Sequence, residues 1–448
     1  MMRRSGESKL LPGAIGDAES RAAMTMVEKI IARAAGLNSV KPGQMVTAKV
    51  DLAFAHDSSG PRRWRPMLEE LGVGLWDPDK VVIVSDHYVP AVDAETAEIL
   101  RVTREFVRDY GVRNFFDMVG ISHLLLPDHG LIRPGAFIAG GDSHTPTAGA
   151  FGTYAAGYGA TDMAGIVATG ETWLQCPETV RVILNGRLRR GISAKDVMLR
   201  LCKTLGLDNA FRAIEYAGTA VEAMGMPERM VLANMAAELG AETGVVAPDD
   251  VTFAYLRERG RPVEDEVAAL ALASDPDAVF AATHVFDASE LAPQIAAPHS
   301  PANTFDVGEL AGQKIDQAYI GACVGAKIED LRMAATVLKG RKVAPGVRLL
   351  VAPASSKTTA LAAADGTLSV LMEAGATLMP SGCGACAGYG AGVLAQGEVC
   401  ISSTNRNFQG RMGSSGAKVF LGSPYSVAAA AVVGAISDPR ELLEQEAA

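Results

Sequence analysis

Three cysteines are the strongest chemical signal in this chain. Cys383 and Cys386 form a C-x-x-C pair inside the run SGCGACAG, and Cys323 ends the predicted strand DQAYIGAC. The flanking glycines let the backbone approach a bulky group, which is typical of an iron–sulfur cluster held by thiolates. Three thiolates rather than four leave one iron without a protein ligand, and such an iron can bind a substrate oxygen as a Lewis acid. The count therefore favours chemistry over electron transfer.

The C-x-x-C pair also has simpler interpretations. It is compatible with half of a zinc site, with a thioredoxin-like redox pair, or with two small buried hydrophobic residues. Structural zinc sites usually close with four protein ligands, which disfavours the first of these. The cysteines alone leave the alternatives open, and the flanking sequence has to decide between them.

Acid–histidine pairs form a second set of candidate catalytic residues. Three of the seven histidines stand at predicted strand ends, beside or near acids. A carboxylate bonded to an imidazole fixes its tautomer and raises its basicity, which suits general acid–base catalysis near neutral pH. The residues concerned are Asp86, His87, His123, Asp142 and His144.

Arginines near the C-terminus form a third candidate site. The segment STNRNFQGRMGSSG places Arg406 and Arg411 around a glycine and ends in a Gly-Ser-Ser-Gly turn. Guanidinium groups bind carboxylates through two parallel hydrogen bonds, and backbone N–H groups in such turns favour anions. The segment begins about twenty residues beyond the C-x-x-C pair. We expect both to reach one cavity.

Composition limits the classes of function. A chain of 448 residues should divide into two to four domains. Its net charge of −10 argues against a nucleic-acid-binding surface, which needs a concentrated basic face. No apolar stretch predicts a membrane span, and the first residues lack the apolar core of a secretion signal. We therefore expect a cytoplasmic protein with reduced cysteines.

The predicted elements bring these candidate residues to strand ends. Short β-branched runs such as KVVIVSDH, AFIAGGDSH, RVILNGRL and KVFLGSP alternate with helical patterns. This alternation is typical of α/β layers, which carry their sites at the carboxyl ends of strands. We predict a loose tail over residues 1–23 and three α/β units over residues 24–185, 186–290 and 291–448. Met24 or Met26 is an alternative start.

Four motifs together resemble those of the iron–sulfur hydro-lyases of the aconitase and 3-isopropylmalate dehydratase type. They are GDSHTPTAGAFG, YIGAC followed by KIEDLR, SGCGACAG and STNRNFQGR, and the likeness covers nearly the whole chain from Met24. The resemblance implies three layered α/β/α domains around a central cluster cleft. It also implies that this chain is a separate large subunit. The fourth, swivelling domain of the family would then be a second chain, the small subunit, which carries the serine that acts as base.

The resemblance further implies roles for the candidate residues. A 4Fe-4S cluster would be held by Cys323, Cys383 and Cys386. The acid and hydrogen-bond network around it would comprise Asp86, His87, His123, Asp142, His144 and Glu215, the last in the motif-like AIEYAG. Substrate contacts would come from His56, Asp57, Ser143, Asn405, Arg406 and Arg411. The implied substrate is a hydroxy diacid of the substituted malate type.

One departure from the family pattern leaves the substrate open. The family usually has Cys-Thr-Asn after the strand, whereas this chain has Cys323-Val324-Gly325. The change removes a hydroxyl and an amide from the surroundings of the cluster. We expect 3-isopropylmalate as substrate, with 2,3-dimethylmalate, citraconate or maleate, and homoaconitate as alternatives. An iron-sensing RNA-binding protein is an alternative from another class, and the acidic charge argues against it.

Overall fold

The computed structural model describes residues 23–444. Three large sheets follow one another along the chain, each packed against helices, and a two-stranded sheet accompanies the first. The predicted class, three layered α/β units, is confirmed. The predicted tail lies outside the described residues except for Ala23. Among the residues from 23 to 444, no helix combines the length and the apolar character that crossing a membrane requires.

The first unit contains a five-stranded parallel sheet and a two-stranded antiparallel ribbon. Its strands are β1 (Met45–Lys49), β2 (Leu52–His56), β3 (Val81–Ser85), β4 (Asn114–Asp117), β5 (Phe137–Gly140), β6 (Tyr154–Gly157) and β7 (Glu171–Gln175). Its helices are α1 (Met26–Ala35), α2 (Pro61–Leu71), α3 (Ala94–Asp109), α4 (Ser122–Asp128) and α5 (Ala160–Thr169). The sheet order is β4-β3-β2-β5-β6, and β1 pairs with β7. Strands β2 and β3 are buried throughout, as expected when helices cover both faces.

The second unit is a four-stranded parallel sheet of order β10-β9-β8-β11. Its strands are β8 (Glu178–Asn185), β9 (Arg212–Ala217), β10 (Thr243–Val246) and β11 (Ala282–Asp287). Its helices are α6 (Ala194–Leu205), α7 (Thr219–Ala223), α8 (Met226–Asn234), α9 (Asp250–Glu258) and α10 (Glu266–Leu270). The predicted division after residue 185 would separate β8 from both strands that it pairs with. The second sheet therefore begins at Glu178.

The third unit is a seven-stranded mixed sheet of order β13-β12-β18-β17-β14-β15-β16. Its strands are β12 (Gln294–Ala296), β13 (Thr304–Asp306), β14 (Gln317–Ile320), β15 (Arg348–Val351), β16 (Ala376–Leu378), β17 (Val399–Ser402) and β18 (Lys418–Leu421). Its helices are α11 (Ile328–Leu338), α12 (Ser356–Ala364), α13 (Thr367–Ala374), α14 (Pro424–Val433) and α15 (Pro439–Glu444). Only β12 runs antiparallel to its neighbours β13 and β18.

One buried hydrophobic cluster joins the three units. It includes Val82 of the first sheet, Val182 of the second and Val419 of the third, and it also contains Cys323. A second cluster lies mainly in the first unit and includes Ala213 and Val245 of the second, and a third cluster lies within the third unit. Backbone hydrogen bonds connect the first and third units as well, because the Cys383 amide donates to the carbonyl of Asp86 at 2.8 Å. The candidate site residues therefore lie where the first and third units contact each other.

Candidate active site

The loops at the carboxyl ends of two sheets face each other across a cavity of about 140 Å³. Loops after β2, β3 and β5 come from the first sheet, and loops after β14, β16 and β17 come from the third. Parallel strands direct their carboxyl ends to one edge, so two such edges build a shared cleft. The lining residues with polar or sulfur groups are Ser58, His87, His123, Asp142, Ser143, His144, Cys323, Cys383, Cys386, Tyr389, Asn405, Arg406 and Arg411.

All three predicted cluster cysteines line this cavity. Cys323 lies in the turn after β14. Cys383 immediately precedes a short 3-10 turn beyond β16 (Gly384–Ala387), and Cys386 lies within it. Gly384 begins this turn with a φ of +45°, a conformation that side chains disfavour. A Cβ on Gly382 would come within 2.8 Å of the Asp86 carbonyl, so glycine is needed for the close approach of the two loops. The glycines around the C-x-x-C pair therefore position it.

Asp142 is the centre of the histidine network. Its Oδ1 accepts a hydrogen bond from the His144 backbone amide at 2.7 Å and lies 2.8 Å from His123 Nε2. Its Oδ2 lies 3.1 Å from His56 Nε2. Burial would raise the pKa of Asp142, but the charges and hydrogen bonds of His123 and His56 outweigh it and hold the pKa well below its usual value. Asp142 therefore carries a negative charge into the cavity.

A second acid–histidine pair lies beside the first. His87 Nδ1 lies 2.7 Å from Asp86 Oδ1, and Asp86 Oδ2 accepts from the Ser122 amide at 2.8 Å. Burial would lower the pKa of His87, but the negative charge of Asp86 outweighs it and raises the pKa above 6.5. The rings of His87 and His56 stack at 3.8 Å between centroids. The two pairs thus form one continuous network.

Asp57 holds the backbone of this network rather than lining the cavity. Its two carboxylate oxygens accept hydrogen bonds from the amides of His87 at 3.1 Å and Tyr88 at 3.0 Å. His56 is placed in a similar supporting position, since its Nδ1 contacts Ser58 Oγ at 2.9 Å while Nε2 contacts Asp142. The structure therefore brings His56, Asp57 and Asp86 to the site, but in the layer behind the lining side chains.

Glu238 links the histidines to the arginines, and sequence reasoning missed it. Its Oε1 accepts from Arg406 Nε at 2.7 Å and lies 2.9 Å from His144 Nε2. Burial would raise the pKa of Glu238, but His144 and Arg406 outweigh it and lower the pKa. For His144 burial is the larger effect, and it lowers the pKa of the imidazole despite Glu238. Arg406 is thus held by a buried carboxylate.

Glu215, the glutamate predicted for this network, lies elsewhere. It is in β9, where its Oε2 accepts from Ser274 Oγ at 2.5 Å and its Oε1 lies 3.5 Å from Arg181 Nε. It is not among the residues that line the cavity. The glutamate that contacts His144 and Arg406 is Glu238, which follows α8 in the segment LANMAAELG. A buried glutamate in that apolar run was the available signal.

Asn234 was also missed, although it contacts a predicted ligand. Its Nδ2 donates to Cys323 Sγ at 3.1 Å and to Thr147 Oγ1 at 2.7 Å. Asn405 Nδ2 donates to the Asn234 side-chain oxygen at 2.5 Å and lies 3.5 Å from the same sulfur. Two amide groups therefore point at the sulfur of Cys323, an arrangement that stabilises a thiolate.

Arg411 and Tyr389 complete the cavity wall. The Nε of Arg411 is buried and has no hydrogen-bond partner among the described residues, so a donor is available to an anion. Tyr389 precedes Arg411 in the sequence and is 39% exposed. Its ring centroid lies 4.8 Å from that of Tyr88. Ser143 is exposed at the rim. The predicted arginines and Ser143 thus share one opening.

The donor set fits an iron–sulfur cluster. Soft thiolates select zinc, copper(I) or iron–sulfur centres, and oxygen-preferring cations are disfavoured at such a site. Burial raises the pKa of Cys323 to about 12 and that of Cys383 well above its usual value, so the thiols are neutral until a metal displaces their protons. The amides of Asn234 and Asn405 would then donate to a thiolate rather than to a thiol.

Comparison with known proteins gives consistent matches over most of the chain. The family model "Aconitase family (aconitate hydratase)" matches residues 28–434. The chain is 47% identical over 426 residues to 3-isopropylmalate dehydratase large subunit 1 of Methanopyrus kandleri, covering 94% of this chain and 99% of that protein. It is 43% identical over 425 residues to a probable methanogen homoaconitase large subunit of Methanothermobacter thermautotrophicus, covering 93% and 98%. It is 42% identical over 432 residues to the 3-isopropylmalate dehydratase large subunit of Aquifex aeolicus, covering 94% and 98%.

Proposed function

Because this chain belongs to the aconitase family, we propose that it is the cluster-bearing large subunit of a hydro-lyase for a substituted malate-type diacid. The reaction class, removal or addition of water by an iron–sulfur enzyme, is that of the family. The 4Fe-4S type of the cluster, its ligands and the substrate 3-isopropylmalate are the further parts of the proposal. The relatives that carry the name 3-isopropylmalate dehydratase support this substrate.

One observation supports the proposal most directly. Three cysteines, two acid–histidine pairs and two arginines, from two different sheets, line or support a single cavity. Thiol ligands, proton-carrying groups and carboxylate-binding groups are the three components that dehydration of a hydroxy diacid requires. A purely structural zinc site would give no reason for the other two components.

Cys323, Cys383 and Cys386 would hold the 4Fe-4S cluster, which supplies Lewis-acid activation of the substrate hydroxyl when bound. Arg406 and Arg411 would bind the substrate carboxylates. Arg406 is held by Glu238, whereas the Nε of Arg411 is free to donate. The arginines would also stabilise negative charge that builds up on a carboxylate as the adjacent carbon loses its proton.

His87 is the residue that we assign to protonate the departing hydroxide. Asp86 holds its Nδ1, which leaves Nε2 for the substrate, and the ring lines the cavity. Asp142 fixes His123 in the same manner. These pairs would move a proton without a large change of geometry, because both imidazoles are already oriented by a carboxylate.

The proposal includes a small partner subunit. Several relatives are named large subunits, and the resemblance assigns the base, a serine, to a swivelling domain on a separate chain. The cavity opens where Ser143 and Tyr389 reach the surface. A small α/β chain would cover this opening and deliver the base, so the large chain alone should be inactive.

A second candidate substrate is homoaconitate. One relative of nearly the same similarity is named a probable homoaconitase large subunit. The arginines and the histidine network would serve either diacid, since both carry a hydroxyl or double bond next to carboxylates. The choice between the two is then expected to depend on residues of the small chain.

The test begins with the full chain loaded with iron and sulfide under anoxic conditions. Bound iron and acid-labile sulfide are measured, and the loaded chain is combined with its small partner. Hydration and dehydration are assayed with 3-isopropylmalate, 2,3-dimethylmalate, citraconate, maleate and homoaconitate. We expect four irons per chain and the highest kcat/KM with 3-isopropylmalate. Zinc at the cysteines, or no turnover of any of these diacids by the loaded pair, would refute the proposal.

A further inference from the structure

Lys195 is a buried lysine next to the candidate active site. It stands in the first turn of α6 (Ala194–Leu205), and only 1% of the residue is exposed. Its ammonium group donates a 2.6 Å hydrogen bond to the carbonyl of Thr404, which lies 209 positions further along the chain. Thr404 immediately precedes Asn405 and Arg406. One lysine of the second unit therefore holds the loop of the third unit that carries two lining residues.

The position of Lys195 is unfavourable for a cation in two ways. Full burial removes the hydration of the ammonium group, and the first turn of a helix carries positive partial charge from its free N–H groups. Within residues 23–444, no carboxylate oxygen lies within the 4.0 Å that defines an ion pair with Lys195. Burial lowers its pKa to about 8, which reflects this cost. A buried charge of this kind needs a compensating negative charge nearby.

The negative groups that act on Lys195 include two carboxylates, Glu238 and Asp330, and the sulfurs of Cys202, Cys323 and Cys386. Glu238 is already hydrogen-bonded to Arg406 and His144, and its other oxygen has no partner among the described residues. Asp330 is engaged in the same way, because Lys327 Nζ lies 2.6 Å from its Oδ2. Both carboxylates therefore have other cationic partners, and the cysteine sulfurs are the remaining negative groups that act on Lys195.

We propose that Lys195 is a positioning residue that also supplies the buried counter-charge for the cysteine-bound cluster. Its hydrogen bond fixes the Thr404 carbonyl and thereby places Asn405 and Arg406. Its charge offsets the negative charge that the thiolates acquire when they lose their protons to a bound metal. This inference rests on the proposed cluster, and it assigns a role to a side chain that does not touch the cavity.

The test separates the charge from the hydrogen bond. Lys195→Met removes both, whereas Lys195→Gln keeps an N–H donor for Thr404 without the charge. Lys29→Met is the matched control, because Lys29 lies in α1 and forms an ion pair with Asp275 at 2.6 Å, among residues that do not line the cavity. Each full chain is loaded with iron and sulfide, and its reduction potential is measured by a spectroscopic titration. The melting temperature of each cluster-free chain is measured in parallel.

We expect the reduction potential of the cluster to be about 59 mV lower in both Lys195 variants. For one electron this is a tenfold lower ratio of reduced to oxidised cluster at the same applied potential. Removing a nearby positive charge disfavours the more negative, reduced state. Iron should be lost to a chelator about tenfold faster from both variants than from the Lys29→Met control. Only Lys195→Met should also raise KM in the assembled enzyme. The cluster-free Lys195→Gln chain should melt no lower than the parent chain.

Potentials equal to that of the Lys29→Met control would overturn the counter-charge role. Melting of the cluster-free Lys195→Gln chain well below the parent would do the same, because a purely structural lysine is needed with or without metal. The two proposals fail separately. If the unaltered chain takes up no iron and sulfide, the proposed function fails; if it does and the Lys195 variants behave like the control, only this inference fails.

Discussion

Exchange of Glu238 for glutamine tests the arrangement of the site most sharply. The carboxylate is fully buried, and one of its oxygens serves both Arg406 and His144, at 2.7 and 2.9 Å. Glu238→Gln keeps the shape of the side chain and removes its charge. The amide keeps one acceptor oxygen, which can take the place of the oxygen that serves both residues, so both hydrogen bonds survive in a weaker form.

The expected size of the effect follows from these two bonds. A hydrogen bond to a charged group contributes about 1.5–3 kcal/mol, and a neutral one about 0.5–1.5 kcal/mol. Weakening each of the two bonds costs about 1–1.5 kcal/mol, which is about 2–3 kcal/mol in all. If half of this cost appears as misplacement of Arg406, kcat/KM falls by about tenfold, since 1.36 kcal/mol corresponds to a factor of ten. We expect most of the loss in KM, because Arg406 is assigned to a substrate carboxylate.

The assay is steady-state kinetics of the two-chain enzyme, with iron content checked for each preparation. Glu215→Gln is the matched control: it makes the same change at another buried glutamate, one that bonds to Ser274 and lies outside the cavity. Its kcat/KM should stay within about twofold of the parent enzyme. The reasoning is refuted if Glu215→Gln loses activity at full iron content while Glu238→Gln keeps it.

Three further changes test other parts of the site. Cys383→Ser should abolish cluster absorbance while far-UV circular dichroism keeps its shape, because the residue lies in the loop between β16 and β17; loss of the folded signal would contradict this. Arg411→Met should raise KM about tenfold or more. It should not lower the melting temperature of the cluster-free chain, because the Nε that is lost has no partner in the described structure. An unchanged KM would argue against binding of a substrate carboxylate by Arg411. Burial raises the pKa of Asp196 to about 6, so the folded chain keeps a proton on this carboxyl that the unfolded chain releases near pH 4. As the pH rises from about 4 through 6, the parent chain should therefore lose up to about 3 kcal/mol of folding stability. The melting temperature of Asp196→Asn should depend less on pH over this range.

Much of the fold and of the cluster site follows from local sequence patterns. Alternating β-branched and helical runs predict layered α/β units, and the strands that end in Ser85 and Ile320 lie where those runs predict them. The C-x-x-C pair with its glycines is likewise a local signal. Such features are readable because the residues that create them are neighbours in the chain.

Residues that reach the site across units are harder to predict. Glu215 and Glu238 are both buried glutamates of the second unit, and the chain near each one is apolar. What separates them is packing: α8 brings Glu238 against His144 of the first unit and Arg406 of the third, whereas β9 directs Glu215 towards Ser274. A single sequence records neither contact. The predicted unit boundary at residue 185 depends on long-range pairing in the same way, because β8 pairs with β9 and β11 further along the chain.

The Val324–Gly325 departure has a local structural explanation. A Cβ on Gly325 would lie 2.2 Å from Ser403 Oγ, so any larger residue there would displace the serine. Ser403 Oγ accepts a hydrogen bond from the Gly321 amide at 3.0 Å and lies 3.3 Å from the Gly325 carbonyl, which ties the turn after β14 to the loop after β17. The same two loops carry Cys323 and Asn405. The geometry at Cys323 therefore depends on Gly325 and Ser403 as a pair.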